Sequence, residues 1–124
     1  MKVREVMTQV VLTAEPGITI AEVASLMAQR RVGSALVLEH DQMIGIFTER
    51  DIVKALSQDA SAIHQAIVHW MTRSPQTISS EATVEEALRR MLDGGFRHLP
   101  VMDDDRLVGM LSMRDLSRVR VHAE

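Results

Sequence analysis

The chain has 124 residues, a formal net charge of −3 and an apolar share of 46%, enough for one compact unit or two very small ones sharing a core, and too apolar for a disordered chain. Cysteine is absent, which excludes disulfides, thiolate zinc sites and cysteine nucleophiles together. The acidic balance argues against a general nucleic-acid binder, which needs a basic face.

The opening Met1-Lys2-Val3-Arg4-Glu5 and the polar Thr8, Gln9 and Thr13 beyond it do not make a signal peptide. No run approaches membrane-spanning length, so the expectation is a cytoplasmic protein with no membrane partner. Val3–Met7 reads as a short lead-in and Val10–Thr13 as a short strand. After the turn Glu15-Pro16-Gly17, Thr19 and Glu22 form a T-x-x-E capping box that opens a helix to about Arg31. Its apolar positions, Ile20, Val23, Ala24, Leu26, Met27 and Ala28, cover more than one stripe and predict burial on two sides. Strands follow at Ser34–Leu38 and Met43–Phe47 about a turn at Glu39–Gln42, then a helix from about Glu49 to Leu56. The polar Gln58–Ser61 is the connector. Beyond it Ile63, Ala66, Ile67, Trp70 and Met71 recur at helical spacing and predict a helix, which Ser74-Pro75 breaks.

The second half repeats the order. A strand near Gln76–Ile78 precedes a helix Val84–Leu92 behind a second box at Thr83 and Glu86. Strands His98–Met102 and Leu107–Leu111 flank the turn Asp103–Arg106, and a helix runs from Met113 to about Val121. Asp103–Asp105 sit where a hairpin turn is wanted and are expected to be solvated rather than to hold a cation. Gly94-Gly95 reads as a helix stop, and Met27 and Met91 as core filler. His40, His64, His69 and His122 share no ligand spacing and read as surface residues, so no metal is assigned.

A shift of 64 residues aligns the halves without a gap: Met7-Thr8 falls on Met71-Thr72, Thr13 on Thr77, Thr19 on Thr83, Glu22 on Glu86, Met27 on Met91, Val37 on Val101 and Asp41 on Asp105. This is an internal duplication, 1–62 and 63–124. Each β-α-β-β-α half is too small to bury its own sheet, so the expected fold is α+β, with the two sheets packed together, helices outside and a pseudo-twofold axis between the halves.

The duplication is sharpest at Gly45-Ile46-Phe47-Thr48-Glu49-Arg50-Asp51 and Gly109-Met110-Leu111-Ser112-Met113-Arg114-Asp115. Each runs from a strand glycine through two apolar residues to a hydroxyl residue, with Asp at the third helical position. Thr48 and Ser112 are N-cap candidates. The glycine lets another backbone or a ligand come close. The helix N-terminus suits phosphate, and a carboxylate beside it can hold a sugar diol through two acceptor oxygens. T-x-x-D and S-x-x-D are also what an ordinary capping box looks like. The two roles are compatible.

These residues carry a resemblance to the CBS-domain pair, the tandem regulatory module named after cystathionine β-synthase. It covers essentially the whole chain and includes Val6-Met7-Thr8, Trp70-Met71-Thr72 and Arg97-His98-Leu99-Pro100-Val101 besides the two junctions. The resemblance implies two clefts between the repeats for adenosyl ligands: AMP, ADP, ATP or S-adenosylmethionine, as regulatory ligand rather than catalytic cofactor. Asp51 and Asp115 would accept from ribose hydroxyls, and Thr48 and Ser112 would touch ribose or the first phosphate. The base would lie near Val11, Leu12 and Ile18, or near Gln76, Thr77, Ile78 and Pro100, beside the strand starts at Ser34 or His98. Arg97 and His98 match a phosphate-reaching basic pair, whereas the aligned Gly33 and Ser34 carry no charge, so two unequal sites are expected. Arg50 and Arg114 are either phosphate contacts or solvated residues. For His98 the alternative is a half-buried strand histidine with a backbone partner.

The resulting expectation is a stand-alone, non-enzymatic sensor, a homodimer by family analogy, acting on a separate regulated protein. The rivals are a ligand-free interaction scaffold and a nucleotide hydrolase. Against the latter, the sequence has no Walker-type loop and no candidate base beside a nucleophile.

Overall fold

The computed structural model describes residues 1–123, with side-chain surroundings as far as Val119; the surface reading of His122 lies outside the described side chains. The fold is α+β and divides into two compact units, Leu12–Pro75 and Met1–Val11 with the chain from Gln76 onward. Among the described residues no helix is long and apolar enough to cross a membrane.

In the Leu12–Pro75 unit, β1 (Thr13–Ala14), β2 (Ser34–Glu39), β3 (Gln42–Thr48) and β4 (Thr72–Arg73) form one sheet in that order, with β1 parallel to β2 and the other pairs antiparallel. Helix α1 (Ile20–Arg30) starts where expected: Thr19 Oγ1 accepts the Glu22 N–H at 3.1 Å. The β2–β3 hairpin turns on His40 and Asp41, both at positive φ, the geometry whose twist suits a two-residue hairpin loop. Helix α2 (Glu49–Gln58) follows β3 directly. The core gathers Ile20, Val23 and Met27 from α1 against Val37, Phe47, Ala55, Ile67 and Met71.

In the other unit, helix α3 (Val84–Gly94) ends at Gly95, which takes φ 71° and donates its N–H to the Met91 carbonyl at 2.9 Å, the helix stop expected there. Strands β5 (His98–Asp103) and β6 (Arg106–Ser112) pair antiparallel, and α4 (Met113–Ala123) follows. Val3, Ile78, Ala87, Met91, Leu99, Val101, Leu111 and Leu116 form its core. Single bridges, Ile78 to Val101 and Thr8 to Met110, stand where β1 and β4 stand in the first sheet. Both hairpins carry a bulge at the same place, skipping Ile44 and Val108.

Four expectations are corrected. The helix read over Ile63–Met71 is two 3₁₀ turns, Ala60–His64 and Ile67–His69, because Gln65 and Ala66 are extended and the segment bonds to the start of α1: Ile20 N–H to the Gln65 carbonyl at 3.0 Å and Ile67 N–H to that of Ile18 at 2.9 Å. The strands read at Val10–Thr13 and Gln76–Ile78 shrink to β1 and one bridge. Helix α1 buries one stripe within this chain, Ile20, Val23 and Met27, while Ala21 and Ala28 are exposed. Asp103 lies outside the turn: it ends β5 and accepts from Ser80 N–H at 3.0 Å and Ser80 Oγ at 2.6 Å. Those bonds hold its carboxyl below the ordinary range.

The lead-ins, Val3–Met7 and Trp70–Thr72, are what the repeat does not place. Each sits in the unit built around the other repeat's hairpin: Thr8 bonds Met110 in both directions at 2.9 Å, and Thr72 pairs with Ile46. The strand glycines make this possible. A Cβ on Gly109 would stand 2.7 Å from Met7 Sδ and 2.9 Å from the Thr8 carbonyl; on Gly45 it would stand 2.7 Å from Met71 Sδ and 2.8 Å from the Thr72 carbonyl. The close approach left open by the sequence is therefore made by the chain itself.

Candidate functional site

Each unit brings the sequence-singled residues together at one strand–helix junction. In the Leu12–Pro75 unit, Ser34 opens β2 directly opposite Thr48, which closes β3. The Gly33 carbonyl accepts the Glu49 N–H at 3.1 Å, tying the β2 entrance to the first turn of α2. Asp51 Oδ2 accepts from Thr48 N–H at 2.8 Å and, at 3.3 Å, from its hydroxyl. The Leu12 carbonyl accepts the Leu36 N–H at 2.9 Å, two residues along β2 from Ser34.

The second unit repeats the arrangement. His98 opposes Ser112, the Arg97 carbonyl accepts the Met113 N–H at 2.8 Å, and Asp115 Oδ2 accepts the Ser112 N–H at 2.9 Å. Asp115 N–H in turn donates to Ser112 Oγ at 3.1 Å, the other half of the capping box. Ile78 joins through Pro100, whose carbonyl accepts its N–H at 3.0 Å. Capping, one of the two roles left open for the aspartates, is thus made at both junctions. In both cases the same carboxylate oxygen serves it.

The surroundings differ. Ser34 and Asp51 are buried, at 6% exposure each, whereas His98 and Asp115 are half-buried. Arg97, Arg50 and Arg114 are exposed and Pro100 is buried. Not every residue joins the junctions: Ile18 is bonded to Glu15 and Ile67, Gln76 is exposed, and Val11 is half-buried at the end of the N-terminal segment. The backbone clasp from Gly33 to Glu49 and from Arg97 to Met113 was not legible in the sequence, since carbonyl partners leave no side-chain signal. Arg90, which donates to the Thr77 carbonyl at 2.8 Å, was also not singled out. Its signal was available: a basic residue aligned with Leu26.

Burial pushes the Asp51 carboxyl above its ordinary value of 3.8, against the hydrogen bonds from Thr48 and the nearby Lys54 and Arg50. Between that ordinary value and the raised one the folded protein holds more protons than the unfolded chain, so stability falls as pH rises through the window. Asp51→Asn keeps an acceptor oxygen for the cap and removes the charge. The stability of this variant relative to the unaltered protein is expected to increase as pH climbs from 3.8, read as urea midpoints over pH. A constant or decreasing difference would show that burial does not dominate.

The sequence profile of the CBS domain matches residues 3–58 and again 65–122. An uncharacterized 17.7 kDa protein of Acidianus ambivalens is 39% identical over 119 residues, 94% of this chain and 71% of that protein. The CBS domain-containing protein CBSCBSPB1 of Arabidopsis thaliana is 35% identical over 104 residues, 82% of this chain and 19% of its own length. Among solved structures, the CBS-domain containing protein ATU1752 from Agrobacterium tumefaciens superposes with a TM-score of 0.92 at 31% identity, covering 97% of this chain and 99% of the other. The CBS domain pair of protein MJ0100, solved in complex with 5′-methylthioadenosine and S-adenosyl-L-methionine, gives 0.89 at 27% identity, with coverage of 97% and 99%.

Proposed function

The chain belongs to the CBS-domain family, as two tandem repeats, and on that premise we propose that it is a regulatory module that binds adenosyl ligands, AMP, ADP or ATP foremost, and signals through a change of conformation or partner affinity. The duplication divides at residues 62 and 63, and the module acts in the cytoplasm as a homodimer on a separate regulated protein. The observation that carries the reading is the doubled junction: a helix N-terminus, a hydroxyl residue and an aspartate, set beside an apolar segment, in each unit. With Oδ2 serving the cap, Oδ1 of Asp51 and of Asp115 is the oxygen offered to a ribose diol. The methylthioadenosine and S-adenosylmethionine held by the MJ0100 pair support the adenosyl class.

The two sites are unequal. Arg97 and His98 give one junction a basic entrance suited to phosphate, while Gly33 and Ser34 give the other a neutral one suited to adenosine or a thioether cofactor. Arg50 and Arg114 are exposed on the first helical turn of their junctions.

The test is a melting-temperature panel of ATP, ADP, AMP, adenosine, S-adenosylmethionine, NAD and GTP, with and without Mg²⁺. A ligand at a hundred times its dissociation constant stabilises by about 2.7 kcal/mol, or several degrees for a domain of this size. Adenine compounds are expected to raise the transition and GTP to leave it in place. A flat panel would remove the nucleotide reading and leave the interaction scaffold.

A further inference from the structure

The two repeats hold the segment before their first helix by different means. In the Leu12–Pro75 unit the segment is a ladder strand: the Leu12 carbonyl accepts the Leu36 N–H at 2.9 Å, and Thr13 and Ala14 pair with Leu36 and Val37. The residue aligned with Leu36 in the second repeat is Pro100, which has no N–H to give to Gln76. The ladder there is reduced to Ile78, whose N–H reaches the Pro100 carbonyl at 3.0 Å and whose carbonyl accepts from Met102 at 2.9 Å.

Thr77, one residue earlier, turns its carbonyl to a different partner. Arg90 on α3 donates Nη1–H to that carbonyl at 2.8 Å, while its Nη2 donates to Glu86 Oε1 at 2.9 Å, one turn back along the helix. The ion pair alone is an ordinary i,i+4 contact between partly exposed groups, and such contacts contribute little. What sets it apart is its aim. Glu86 orients the planar guanidinium, and the guanidinium then reaches a backbone carbonyl 13 residues away. The residue aligned with Arg90 in the first repeat is Leu26, which has no donor, in the repeat whose segment already has its strand bond.

We infer that Arg90 is a positioning residue for the ligand site of its unit, clamping Gln76–Ile78 from the helix side in place of the strand bond that Pro100 removes. The inference rests on the nucleotide reading above, in which the base lies along this segment. Arg90 then acts on the base alone. Ribose and phosphate are held by Asp115 on α4 and by Arg97 and His98 at the start of β5, not by the clamped segment.

The experiment compares Arg90→Leu, the side chain the aligned position already carries, with Arg90→Lys, which keeps a donor. Both are made in an Asp51→Ala background so that one site reports. Calorimetric titration with AMP and with ribose 5-phosphate separates base from sugar phosphate. Arg90→Leu is expected to weaken AMP about tenfold, the scale of one hydrogen bond to a charged group, and to leave ribose 5-phosphate within about twofold. Arg90→Lys should recover part of the loss. Unchanged AMP affinity, or an equal loss for both ligands, overturns the assignment. If the parent protein binds AMP and Arg90→Leu matches it, only the clamp fails; if the parent binds no adenosyl compound, the nucleotide reading fails and the clamp with it.

Discussion

Asp115→Ala is expected to abolish the AMP-induced rise in melting temperature contributed by its unit, while costing the ligand-free protein only about 1 kcal/mol. The two effects come from different oxygens of one carboxylate. Oδ2 accepts the Ser112 N–H at 2.9 Å, and its loss is the loss of a helix cap, partly offset because water reaches this half-buried site. Oδ1 is the acceptor proposed for ribose. Hydrogen bonds to a charged group are worth about 1.5–3 kcal/mol each, so removing two of them lowers affinity by roughly a hundredfold or more. Asp115→Asn separates the roles, since its amide oxygen still caps the helix while the amide nitrogen that replaces the other oxygen cannot accept from the ribose hydroxyls. A variant that loses about 1 kcal/mol of stability and keeps its full response to AMP would establish capping as the sole role of the aspartate.

The second large effect concerns ligand choice. Exchanging Arg97 and His98 for the glycine and serine of the first repeat, Arg97→Gly with His98→Ser, is expected to bring AMP affinity down by about ten- to a hundredfold, the range for one charge-assisted contact. Adenosine affinity should stay where it was. The Arg97 main chain keeps its bond to the Met113 N–H, because that bond uses the carbonyl and not the side chain. The side chain of Arg97 is exposed, so the contribution it makes is screened by salt. AMP binding by the unaltered protein should weaken between low and high ionic strength, and that dependence should vanish in the double variant. Equal losses for AMP and adenosine would mean that the pair supports the strand and does not select phosphate.

The Asp51 junction differs from its twin in a way that alignment alone does not show. Thr48-Glu49-Arg50-Asp51 and Ser112-Met113-Arg114-Asp115 look interchangeable, yet Asp51 is buried at 6% exposure and Asp115 is half-buried. A ribose that hydrogen-bonds to Asp51 meets a carboxylate already raised by desolvation. Ligand binding at this site would therefore release protons near the raised value, since only the ionised form offers every lone pair.

How much was legible follows from how far each feature reaches along the chain. The duplication, both hairpins, helices α1 to α4 and the N-cap residues of the two junctions are written in the order of the residues. Those features are local: a cap joins residues three apart, a two-residue turn joins neighbouring strands, and the alternation of apolar residues is read within one strand. Tertiary structure alone decided that Gly45 and Gly109 are pressed by Met71-Thr72 and Met7-Thr8, that residues 63–71 form 3₁₀ turns and not a helix, that Asp103 holds Ser80, and that Arg90 reaches Thr77. Each of these is set by a hydrogen-bond partner or packing neighbour well removed in sequence, as Thr8 is from Met110. A buried backbone group takes whichever partner the fold brings to it, and local propensity yields there because it is weaker than an unmade bond.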